Sequence, residues 1–204
     1  ADLLGVLAYS ELCAFERNAI DAASAPTLVD KVELARLARH EHEHFERMCA
    51  FLTQHGHDAL ETIEPFVAAW DMFHASMAPR DWLEGLIKTY VGDGIAADFY
   101  REVSAYLDAE TAALISEVVS DSQRSEYMTA RLREVIAADP KVAGRLALWG
   151  RRLMGEMISQ ATLVAGSRPA LREMFAAQAD QVEGLINRMT VAHSRRMDAL
   201  GLAS

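Results

Sequence analysis

Four long stretches of helix-period hydrophobic spacing, joined by a short turn, a long connection and another short turn, constrain this chain more than anything else in it. Apolar residues recur at three- and four-residue intervals over about 3–23, 27–54, 81–107 and 110–138, the period of a helix with one buried face. Ser24-Ala25-Pro26 separates the first two stretches, with Thr27 placed as an N-cap, and His55-Gly56-His57 closes the second. The third and fourth turn at Asp108. Residues 58–80 connect the two pairs and carry one short amphipathic helix, with Phe66, Val67, Trp70 and Phe73 as its apolar face. Short turns make antiparallel neighbours, whereas a long connection can run the length of a bundle. The expectation is therefore all-α: an up-down, crossover, up-down four-helix bundle over residues 1–138. Two further helices, about 142–164 and 169–200 with Gly166-Ser167 between them, add a helical hairpin over 139–204. A chain of 204 residues that is 51% hydrophobic suffices for one core, so a single domain over 1–204 is expected.

Charge and cysteine usage narrow the setting. The net charge of −10 argues against a broad phosphate-binding surface, and hence against nucleic acid as a partner. No segment approaches the roughly 20 uninterrupted apolar residues of a membrane span. No basic segment followed by an apolar one opens the chain, and Glu11 and Glu16 already lie in the first helix, so no secretory signal is expected. Cys13 and Cys49 fall at different levels of the first hairpin, about 15 Å apart along its axis. That spacing argues against a bridge and for a reduced, cytoplasmic setting.

Polar residues interrupt the apolar stripes at one height. Glu41 and His44 share a helix face with Leu34, Leu37, Ala38, Phe45 and Met48. A carboxylate and an imidazole aimed together into a core are costly unless something satisfies them, commonly a metal ion. Measured from the turns, Glu11 and Glu41 lie about 20 Å up the first hairpin, and Asp93 and Asp121 about 20–22 Å up the second. Asp93 has Leu86, Tyr90, Ala96, Ala97 and Tyr100 at helical spacing, and Asp121 has Leu114, Val118, Ser125 and Met128. Glu16 competes for the position on the first helix. It sits about 8 Å lower and roughly 140° round from Glu11, so one site cannot take both, and Glu11 is preferred. Asp121 is followed three residues later by Arg124, where the logic of Glu41 and His44 asks for a second His.

The stretches Glu41-His42-Glu43-His44-Phe45, Gly92-Asp93-Gly94 and Asp121-Ser122-Gln123-Arg124 resemble the ferritin-like di-iron carboxylate superfamily. Within it they are most similar to actinobacterial proteins grouped with the tRNA 2-methylthio-N6-isopentenyladenosine hydroxylases. The resemblance implies a ferritin-like four-helix bundle and an iron site in which carboxylates bridge and neutralise the ions, with Mn or Zn as substitutes. It places Glu11, Glu41 and His44 on one metal and Asp93 and Asp121 on the other. Arg124 departs from the pattern, because a guanidinium has no lone pair to give. It is expected to impair the second position and to pair with Asp121, Glu117 or Asp93 in place of a cation, unless its stem carries the charge to solvent. Tyr90 and Tyr100 are candidates for the layer behind the ligands, although core tyrosines are the plainer description. The resemblance implies an oxygen-dependent hydroxylase or oxidase acting on a small apolar substrate between the bundle and the last two helices; Leu153, Met154 and Met157 are candidates for an adaptable apolar pocket, although methionines in a core need no such role. It assigns no catalytic residue and no organic cofactor. The alternative is a non-catalytic ferritin-like structural or partner-binding bundle without bound metal.

A rival motif overlaps the first site. His40-Glu41-His42-Glu43-His44 matches HExxH, in which two histidines one turn apart hold zinc. That reading needs His40 to face the same cleft as His44, yet Glu33, Arg36, Glu43 and Arg47 surround it. His42, His55, His57 and His74 are expected at the surface or in loops. In the last helix, Leu171, Met174, Phe175, Val182, Leu185, Met189 and His193 form a stripe suited to packing on the bundle or to a homodimer through the C-terminal helices.

Overall fold

The computed structural model describes residues 1–104, 107–119, 123–167, 169, 173 and 179–202. Among them are eight helices and no strand: α1 (Asp2–Ala23), α2 (Leu28–Gln54), α3 (Ala59–Ser76), α4 (Trp82–Ser104), α5 (Ala109–Val119), α6 (Gln123–Ala138), α7 (Pro140–Ser167) and α8 (Ala179–Ala199). The chain divides into two compact units, Ala1–Ala78 with Ser159–Ala177, and Pro79–Ile158 with Gln178–Ser204. No described helix is long and apolar enough to cross a membrane.

In the first unit α1 packs along α2, and α3 packs on both. Its core is Leu3, Leu4 and Leu7 of α1, Leu34, Met48 and Leu52 of α2, and Ile63, Phe66 and Phe73 of α3. The ends of α2 follow from local chemistry. Thr27 accepts the Asp30 amide at 3.1 Å and donates its hydroxyl to the Asp30 carboxylate at 2.8 Å, a cap that stabilises a helix by about 1 kcal/mol. At the other end Gly56 adopts φ +80°. This lets the His57 amide reach the Leu52 carbonyl at 3.0 Å and the Gly56 amide reach Thr53 at 3.1 Å, which satisfies carbonyls the helix would otherwise leave open. Asp58 then caps α3 by accepting the Glu61 amide at 3.0 Å. At 18 residues, α3 is longer than the short crossover helix expected.

In the second unit α4 is central and contacts α5, α6 and α8. Leu86, Ile87, Tyr90, Val91, Ile95, Tyr100 and Val103 are buried along it. Its first turn is tied to α7 through Glu84, whose carboxylate accepts Arg145 at 2.7 Å and whose carbonyl accepts the Trp149 indole at 2.9 Å. Gly94 lets α8 come close: a Cβ there would overlap the Arg196 guanidinium. Arg196 donates to the Gly94 carbonyl at 3.0 Å and to Asp98 at 2.6 Å. Met189, His193 and Met197 of α8 are buried.

Several boundaries differ from expectation. α7 starts at Pro140 and ends at Ser167, outside the expected 142–164. Proline is well placed at a first helical position, where its missing N–H would have had no partner, and the Asp139 carboxylate accepts the Lys141 amide at 3.0 Å. The stretch expected as one helix over 110–138 is described as α5 and α6, with 120–122 outside the described residues. Within the expected 169–200 helix, the described run is α8.

Candidate metal centre

Helix periodicity builds the centre from two elements of the first unit. Glu41 and His44 sit three residues apart on the face of α2 that also carries Leu37, Ala38 and Met48, all buried. Glu11 of α1 follows Leu7 and Ala8 on the face that meets them. Glu11, Glu41 and His44 are 8%, 1% and 7% exposed. His44 Nδ1 lies 3.2 Å from Glu11 Oε2 and 3.8 Å from Glu41 Oε2. An ionised carboxylate can only accept, so His44 Nδ1–H donates to Glu11.

One ligand atom from each of the three side chains lies within 4.8 Å of the others. Metal–ligand distances of about 2.0–2.2 Å separate ligand atoms by roughly 3 to 4.4 Å, so a small closure would bring the set onto one ion. Two carboxylates and a neutral imidazole form a hard, doubly negative donor set, which suits a divalent first-row metal. Among the described residues this is the one group of three or more His, Cys, Asp or Glu side chains so gathered.

Glu16 is exposed. His40 is half-buried, and its Nε2 accepts from Arg39 at 3.0 Å; it does not join His44 in the cluster, and the zinc-protease reading loses its second ligand. In the second unit Asp93 is half-buried on α4, while Tyr90 and Tyr100 are buried. The Tyr90 hydroxyl points to the Arg196 carbonyl at 3.4 Å. Glu117 is exposed on α5. Asp121 and the side chain of Arg124 lie outside the described residues, as does any ion pair between them.

Some buried polar groups carried no sequence-level prediction. Asn18, Asp21 and Asp30 are buried in the first unit, and Arg17 pairs with Asp21 at 2.8 Å. Asn18 stands seven residues, two helical turns, beyond Glu11, a spacing that marks them as one face. In the second unit the imidazole nitrogens of His193 have no hydrogen-bond partner among the described residues. Burial and the neighbouring Arg196 charge lower its pKa, against a smaller opposing pull from Asp98.

A comparison with curated proteins gives no match. The family described as "Ferritin-like domain, actinomycetes" matches residues 1–178. With helices throughout its described length and that match covering most of the chain, the protein belongs to the actinomycete ferritin-like domain family.

Proposed function

We propose that the protein is a metal-dependent, oxygen-activating oxidoreductase of the ferritin-like kind, with Glu11, Glu41 and His44 as the ligands of one divalent ion, iron by preference. The observation that supports this reading is the burial of those three donors within 4.8 Å of one another on two helices. Bound iron would supply open coordination positions for oxygen and the electrons to activate it. The protein's part is to hold and neutralise the ion. Glu11 and Glu41 bring two negative charges into a dry interior, where a divalent cation offsets a burial cost of several kcal/mol per charge. His44 binds as the neutral imidazole with its proton on the nitrogen away from the ion, so protonation to the imidazolium competes with the metal and affinity falls as pH falls. Leu37, Ala38 and Met48 exclude water from the α2 side. Asp93 and Asp121 belong to the same proposal as ligands of a second ion. Arg124, in the place of a second histidine, reduces occupancy there and favours one ion per chain.

One observation favours a second reading, a metal-free structural bundle: the hydrogen bond from His44 to Glu11 satisfies both groups without an ion. Anaerobic Fe(II) titration with elemental analysis separates the two readings. Iron at one equivalent per chain, lost in Glu41→Ala, supports the metal site. Iron absent at saturating Fe(II) leaves the structural bundle.

A further inference from the structure

An open groove of about 640 Å³ runs along the α1–α2 hairpin of the first unit, with Phe15, Ala19 and Ala22 on one side and Ala35 and Ala38 on the other. Its α2 edge carries Arg39, His42, Glu43 and Glu46. Exposed apolar residues continue the same end of the hairpin: Leu28 is 76% exposed, Val29 68% and Ile20 57%. So much uncovered apolar surface beside a small-residue groove marks an interaction surface.

The charges along α2 identify its occupant. Among the exposed charges of α2, which also include Lys31 and Arg47, Arg36 and Arg39 are followed by Glu43 and Glu46, two cations and then two anions. The positions of these four are antisymmetric about Glu41, the midpoint of α2 between Leu28 and Gln54, and the same inversion sets Lys31 and Arg47 opposite the uncharged Phe51 and Ala35. A second α2 laid antiparallel about a two-fold axis at that level sets Arg36 against Glu46 of the second copy and Arg39 against Glu43. The overlap covers the whole helix, about 40 Å. A two-fold interface must be self-complementary, and this edge is. Within one chain Arg39 already pairs with Glu43 and Arg36 with Glu33, so the dimer shares and extends existing pairs. Ala19 and Ala35, both exposed, permit close helix approach.

We propose that this face is a homodimer interface, with a second copy of the chain seated in the groove through antiparallel α2–α2 contact. The proposal stands independently of metal binding. Sedimentation of the full chain at micromolar concentration tests it. The wild type is expected to be dimeric. Arg39→Glu and Glu43→Arg should each weaken association about a hundredfold, because both Arg39–Glu43 pairs across the two-fold axis become repulsive. Mixed one to one, the two variants should form a heterodimer, since a chain with acidic residues at both positions then faces one with basic residues at both. Ala19→Arg, which fills the groove at an exposed site, should also yield monomers with unchanged circular dichroism. A monomeric wild type would overturn the proposal. So would a dimer indifferent to these substitutions, such as one held through the C-terminal helices, or a mixture that stays monomeric.

Discussion

Replacing Glu11 by Gln separates the two roles of the buried cluster, because it moves the metal-free and metal-bound proteins in opposite directions. The amide keeps the shape of the side chain and an oxygen to accept from His44 Nδ1, now 3.2 Å away. It removes one of two negative charges whose ligand atoms lie within 4.8 Å. At an effective dielectric constant near 20 that repulsion is at least about 3.5 kcal/mol. Exchanging a charged for a neutral acceptor gives back about 1 kcal/mol. The metal-free variant should therefore be more stable than wild type by at least about 2 kcal/mol, or roughly 4–8 °C in melting temperature for a chain of this size. With Fe(II) at a hundred times its dissociation constant, wild type should gain about 2.7 kcal/mol, or roughly 5–11 °C. A variant binding a hundredfold more weakly gains only about 0.4 kcal/mol at the same concentration. Anaerobic scanning calorimetry with and without Fe(II) measures both quantities. An equal iron-induced shift in Glu11→Gln and wild type would remove Glu11 from the ligand set. A metal-free variant less stable than wild type would show that a counter-charge, not repulsion, governs the cluster.

Arg124→His should raise bound iron toward two equivalents by elemental analysis, since it restores a nitrogen donor where the sequence offers only a fixed cation; stoichiometric di-iron in the unmodified protein would show that Arg124 costs nothing. His193 has a depressed pKa in the fold, so the unfolded chain binds the proton more readily. Its contribution is fully present above the ordinary histidine value of about 6.5 and is lost as pH falls below it. His193→Gln should flatten that acid limb in urea unfolding monitored from pH 7.5 to 5. Gly94→Ala should cost about 1–3 kcal/mol in the same assay, because the new methyl displaces the Arg196 guanidinium from Gly94 and Asp98; a neutral effect would mean that Arg196 re-pairs without loss.

How much of this was legible in the sequence depended on whether the signal was local. Thr27 announces its helix because a cap is a contact over three residues, and the hydrogen bond to Asp30 is the one such spacing predicts. Glu41 and His44 announce a common face in the same way, since i and i+3 meet whatever else the chain does. Glu11 required one step more, the height argument across a known turn: four residues join α1 to α2, so residue counts along the two helices can be compared, and Glu11 lies beside His44. The α4–α8 seam was illegible for the opposite reason. Gly94 and Arg196 are 102 residues apart, and nothing local distinguishes a glycine that makes room for a guanidinium from one that merely weakens a helix. His193 belongs with them: its position ended an apolar stripe, but only the packing of α8 reveals an imidazole buried beside a permanent cation. The same distinction explains why the α2 edge went unread. Arg36, Arg39, Glu43 and Glu46 look like ordinary i,i+3 and i,i+4 surface pairs until the exposed alanines beside them show a groove. Only then does the order of the charges, rather than their number, carry meaning, because a two-fold axis inverts sequence direction and rewards an edge that changes sign at its midpoint.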